Sequence, residues 1–157
     1  MSGLGLADGL DYIYNNVSTN YNPKLITVGL NIVEKFWKGA KIINKMLANT
    51  EKPQVSVYWI SANNENDQAG HWSGRVSFLI TFYMKIGYVE GNIETNLAKY
   101  ADVLIQLLTD LQNINKTLQA FKFENASQLD NTDEIGNEMW VGFKINCSCY
   151  VTAVQGG

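Results

Sequence analysis

From residue 75 to 87 the chain alternates without a break. Val76, Phe78, Ile80, Phe82, Met84 and Ile86 fall on one side, and Arg75, Ser77, Leu79, Thr81, Tyr83 and Lys85 on the other. A period of two places successive side chains on opposite faces of a strand, so this run is a β-strand with one wholly apolar face. Such a face has to be covered by a second layer. Residues 54–61 alternate less cleanly and form a second strand. Residues 118–125 form another, and residues 139–154 a long closing one, with Met139, Val141, Phe143, Ile145, Cys147, Cys149 and Val151 inward. Trp140, Lys144, Asn146, Ser148, Tyr150 and Thr152 point outward. At about 3.3 Å per residue the closing run spans roughly 50 Å. A compact domain of this length is roughly 40 Å across, so the strand is expected to bend, bulge or overhang.

The covering layer is also legible. Asn92 is a good N-cap and Glu94 suits the first turn of a helix over residues 92–113. Leu97, Tyr100, Ala101, Leu104, Leu107, Leu108 and Leu111 form its buried stripe. Leu6, Leu10, Ile13, Tyr14 and Val17 recur at helical spacing and give a first helix from residue 5 to about 18, interrupted at Asn20-Tyr-Asn-Pro23. Residues 24–47 are ambiguous: a helical stripe is broken by Gly29 and Gly39, residues 25–28 also fit a short strand, and the later part favours helix. Pro53 ends whatever precedes it. The expectation is one α+β domain over residues 1–157, helical over about 5–50, with the sheet and its covering helix over about 54–154. The sheet is antiparallel or mixed, four-stranded and flanked by helices, in the order α-(α)-β-β-α-β-β.

With 157 residues the chain is long enough to bury a core. Charged residues make up 17%, below the roughly 25% of soluble domains, and 18 asparagines fill much of the gap. Low charge density lowers the desolvation cost of burying surface against another subunit. A net charge of −3 and scattered basic residues argue against a partner bound by phosphate neutralisation. No apolar run is long enough to span a membrane, and the MSGLGLADG start lacks the basic region of a signal peptide, so a soluble, non-exported protein is expected. The four N-x-S/T sequences, at Asn16, Asn115, Asn125 and Asn146, are what an Asn-rich chain generates by chance.

Little in the chain carries catalytic chemistry. His71 is the single histidine and sits in a Gly-rich loop sequence, so a nucleophile–base pair has one possible base and no orienting frame. Gly3-Leu-Gly5 follows no strand and lacks the third glycine of a dinucleotide fingerprint. Residues 130–136, with Asp130, Asp133 and Glu134, do not match a calcium loop and read as a solvated acidic loop. Cys147 and Cys149 share one strand face about 7 Å apart, too far for an unstrained bridge, and read as reduced core thiols. No enzyme, no metal and no cofactor is expected.

Residues 62–74 and 125–138 are longer than hairpins need, and long polar loops commonly make contacts. Their Glu65, Asp67, His71, Trp72, Asp130, Asp133, Glu134 and Glu138, with neighbouring Arg75 and outward-facing Trp140, are the candidate protein-interface residues.

The pattern over residues 54–154 resembles the tail terminator proteins of tailed bacteriophages. It is carried by Val55-Ser-Val-Tyr-Trp-Ile60, the acidic polar loop, Arg75-Val-Ser-Phe-Leu-Ile-Thr-Phe-Tyr83, Ala98-Lys-Tyr-Ala-Asp-Val-Leu-Ile-Gln-Leu-Leu108 and the final strand ending Cys149-Tyr-Val-Thr-Ala-Val154. Residues 20–50 depart from it. The resemblance implies a virion protein of the tail and neck, assembled in the host cytoplasm, without enzymatic activity or cofactor. It would form a ring, usually a hexamer, that caps the tail tube protein, stops tail polymerisation and meets the head–tail connector or stopper protein. DNA would only pass through the lumen, to which an acidic chain would not stick. Two alternatives stand beside it: another neck or tail-completion protein, and a ferredoxin-like regulatory or ligand-binding module acting as a dimer.

Overall fold

A computed structural model of the chain describes residues 5–39, 53–65, 72–85, 92–129 and 140–152. The described residues form one α+β unit of two helices and five strands: α1 (Leu6–Thr27), β1 (Lys35–Lys38), β2 (Gln54–Asn64), β3 (Ser73–Lys85), α2 (Ile93–Ile114), β4 (Gln119–Gln128) and β5 (Trp140–Thr152). The sheet order is β1-β2-β3-β5-β4, with β1 parallel to β2 and every other pair antiparallel. The sheet is therefore five-stranded and mixed, where four strands were expected.

The fifth strand comes from the ambiguous segment. Residues 35–38 add to β2 as a parallel edge strand rather than continuing a helix, and residues 40–47 lie outside the described residues. Pro23 does not stop the first helix, which runs on to Thr27 because Tyr21 and Leu25 are fully buried beyond the point of interruption. Gly29 ends it instead. With φ +80°, Gly29 takes the left-handed position that costs an L side chain most, and the Leu30 and Gly29 N–H groups donate to Leu25 and Ile26 carbonyls. The Asn22 side chain then clamps the returning chain at Val33, donating to its carbonyl (2.9 Å) and accepting from its N–H (2.8 Å). Residues 25–28 are thus the end of α1 and not a strand.

The strands of the second half stand where alternation placed them, but both hairpin loops shrink. Asn63 and Asn64 pair with Arg75 and Gly74, and the Glu65 N–H donates to Ser73 O at 2.7 Å. Residues 125–128 pair with 143–146, and the Leu129 N–H reaches Gly142 O at 2.9 Å. Polar composition hid both strand ends, and a bulge between Trp59 and Ser61 reset the phase of β2. β3 and β5 pair over all thirteen residues of each without a register shift. Residues 86–87, 139 and 153–154, assigned to strand ends, lie outside the described residues.

One sheet face carries both helices. Val55, Val57, Val76, Phe78, Ile80, Phe82, Ile145 and Cys147 from the sheet meet Ile13, Val17 and Tyr21 of α1 and Leu97, Tyr100, Leu104 and Leu108 of α2. Phe82 sits at the centre, its ring 4.8 Å from both Tyr100 and Phe143. α2 begins at Asn92, whose side chain accepts the Thr95 N–H at 3.1 Å. It joins β3 to β4, which run parallel with β5 between them, making a split β-α-β unit.

Candidate assembly surface

The opposite sheet face is largely polar and buried only in part. Gln54, Ser56, Thr81 and Ser148 are all buried there, and among the described residues no buried side-chain polar atom lacks a partner. Ser56 and Thr81 join by their hydroxyls, and the Trp37 indole N–H donates to Gln54 Oε1 at 2.8 Å. Arg75 Nη1 donates to Ser148 Oγ (3.0 Å) and Ala120 O (3.3 Å), and Ser148 donates to Glu124 Oε1 at 2.6 Å. Arg75 therefore ties β3 to β5 and β4, including the left-handed Ala120 (φ 51°) in the bulge of β4. Its guanidinium is thus engaged within the sheet while the side chain stays half-buried.

The candidate interface residues divide three ways. Asp67, His71, Asp130, Asp133, Glu134 and Glu138 lie outside the described residues. Glu65 is exposed at the end of β2. The tryptophans require correction: Trp140 is only 4% exposed, and Trp72 is half-buried against the core. Trp140 does fall on the face away from the helices, but at this end of the sheet that face is buried, with Gln54, Ser56, Thr81 and Tyr83 buried as well. The exposed indole is Trp59, at 49%, beside Ile60 at 44%. Its signal in the sequence is the failure of alternation at Trp59-Ile60-Ser61, which marks the bulge.

The two sheet edges differ. β1 is four residues long, and the Tyr14 hydroxyl donates to its Phe36 carbonyl at 3.3 Å. It carries Lys35, over the Trp37 ring at 4.0 Å, and Lys38, paired with Asp11 at 2.6 Å. Among the described residues β1 covers residues 54–57 of β2, so the sheet steps back to Trp59 and Ile60 beyond it. β4 is ten residues long, mostly exposed and, among the described residues, paired on one side alone. On its outer edge Gln112 Oε1 accepts the Phe123 N–H at 2.9 Å. Beside its last residues a groove of about 280 Å³ separates it from α2, lined by Leu97, Ala98, Ala101, Ala126, Gln128 and Phe143, with Glu94 accepting from the Gln128 amide at 2.6 Å. A larger groove of about 460 Å³ lies between the end of α1 and α2, near the exposed Ile26 and Val28.

Burial suppresses the chemistry of the thiols. Cys147 is raised far above its ordinary value by desolvation, then by Cys149 and Glu124. Desolvation pushes Cys149 up to about 11 against the opposing pull of the Arg75 guanidinium. Both are free and buried. Among the described residues no three His, Cys, Asp or Glu side chains gather as metal ligands, and no helix is long and apolar enough to cross a membrane.

No protein-family model matches the chain, and neither does any curated protein. Among the described residues the surface offers a long strand edge, a stepped opposite edge with an exposed indole, and two grooves beside α2 of mixed polar and apolar lining.

Proposed function

We propose that the chain is a structural protein of a tailed-phage virion, which caps the tail tube as a ring, ends its polymerisation and joins it to the head connector or stopper protein. The observation that carries this reading is the order of elements: a leading helix, the β2–β3 hairpin, the covering helix α2 and the β4–β5 hairpin with its thirteen-residue last strand. The same order underlies the resemblance over residues 54–154. The low charge density and net charge of −3 agree with a subunit that buries surface against its neighbours and lets DNA pass. Unequal sheet edges agree with heterologous contacts, the kind that close into rings.

The ring is the working state on an assembled tail. Purified protein added to tail tubes should form a closed ring at the head-proximal end in electron images, with hexamer stoichiometry. A single copy there, or none, would sink the proposal. Deleting residues 66–71 or 130–137 should leave circular dichroism and melting nearly unchanged while preventing tail completion, because those loops would meet neighbouring rings or subunits.

A further inference from the structure

The Leu129 N–H points to β5, where it donates to Gly142 O at 2.9 Å. Main-chain groups alternate in direction along an antiparallel strand, so those of Ser127 and Asn125 also face β5. Those of Gln128 and Ala126 then face away from the sheet. The bulge between Phe123 and Asn125 adds one residue, which restores an outward N–H at Phe123, the one that Gln112 captures. Hence the last stretch of β4 offers N–H and C=O pairs at two-residue spacing, and only an extended main chain supplies their complement.

We infer that this edge of β4 receives the β1–β2 edge of a second copy of the chain, head to tail, so that the sheet continues from subunit to subunit. Three observations select that occupant. β2 and β4 run in opposite directions, so a copy placed alongside in the same orientation presents β1 and β2 antiparallel to β4. The registers put Lys38 level with Ala126 across the sheet, through Val57, Ile80 and Ile145. In an unstaggered continuation the next copy's Lys38, which its own Asp11 pairs on one side, therefore arrives beside Ala126 and near Glu94, so that one ammonium can bridge two carboxylates across the contact. Finally, the step beyond β1 leaves Trp59 and Ile60 exposed on the edge that would be covered. A two-fold contact of β4 with itself would bring Glu94 near its own copy and leave Trp59 and Ile60 bare. The inference shares with the proposed function only the premise that copies of the chain meet.

Proline tests the edge without touching the fold. At Ala126 it removes an outward N–H, whereas at Ser127 it removes one that faces β5. Sedimentation of the full chain up to ~1 mM should show a mass rising beyond two copies of 17.6 kDa. Ala126→Pro should weaken association at least about tenfold with an unchanged urea midpoint, while Ser127→Pro lowers that midpoint. Ala98→Arg, on the exposed flank of the groove, provides the same test with every ladder bond kept. Glu94→Lys and Lys38→Glu should each weaken association about threefold, and the double variant should recover it. A wild type that stays monomeric, a mass that stops at two copies, or folded Ala126→Pro and Ala98→Arg proteins that associate like wild type would each overturn the inference. The last result would leave a ring on the tail tube intact, and a tail end without a ring would leave the edge contact intact.

Discussion

The Tyr21 hydroxyl donates a 2.7 Å hydrogen bond to the backbone carbonyl of Tyr100, and both side chains are fully buried. The bond locks α1 onto α2 above the sheet. Tyr100 extends the lock, since its own hydroxyl donates to Asn31 O at 2.8 Å just after α1. Tyr21→Phe keeps the ring and removes the bond, so it should cost about 1 kcal/mol in urea unfolding. Tyr21→Ala also opens a cavity and should cost about 3–5 kcal/mol.

Gly142 admits no side chain. A Cβ there would lie 2.0 Å from Phe82 O and 2.9 Å from Leu129 Cδ1, and the former is backbone of the neighbouring strand. Gly142→Ala should destabilise the protein by roughly 3 kcal/mol through forced separation of β3 and β5. At Gly9, on α1, a Cβ would meet the Phe78 ring at 3.3 Å, while alanine gains about 1 kcal/mol of helix propensity. Gly9→Ala should therefore melt close to wild type.

The tryptophans should separate by burial. Trp140→Ala should cost about 3–5 kcal/mol, whereas Trp59→Ser should stay within about 0.5 kcal/mol in the monomer. Urea midpoints of the two variants check the order, and the reverse order would mean that Trp59 holds the monomer together.

Alkaline pH should weaken the fold through Cys149. Its folded value of about 11 lies above the ordinary 9.0. Between those values the unfolded chain releases the thiol proton while the folded chain keeps it. Stability is thus full below about pH 9 and falls as pH rises towards about 11. Cys147 and Tyr21, both raised by burial, extend the loss to higher pH. Urea midpoints of Cys149→Ala should fall less between pH 9 and 11 than those of wild type, and an equal fall would show that the thiol does not contribute.

Local pattern alone determined β3, β5 and α2. Their core residues, from Val76 to Met84, from Phe143 to Val151 and from Leu97 to Leu111, fall on the faces that period and capping single out, although Thr81, Tyr83 and Ser148 on the other sheet face are buried too. The thiols followed from the same pattern. The tertiary structure decided what depends on partners distant in sequence. Pro23 is tolerated inside α1 because Tyr21 finds Tyr100 seventy-nine positions away, and residues 35–38 become a strand because β2 offers them an edge. Trp140 is buried at one end of the face away from the helices, together with Gln54, Ser56, Thr81 and Tyr83, a fact that alternation along a single strand does not contain. The open edge of β4 was hidden for a related reason: which strand ends a sheet is a property of order, and order is set by packing between elements rather than by the pattern within any one of them.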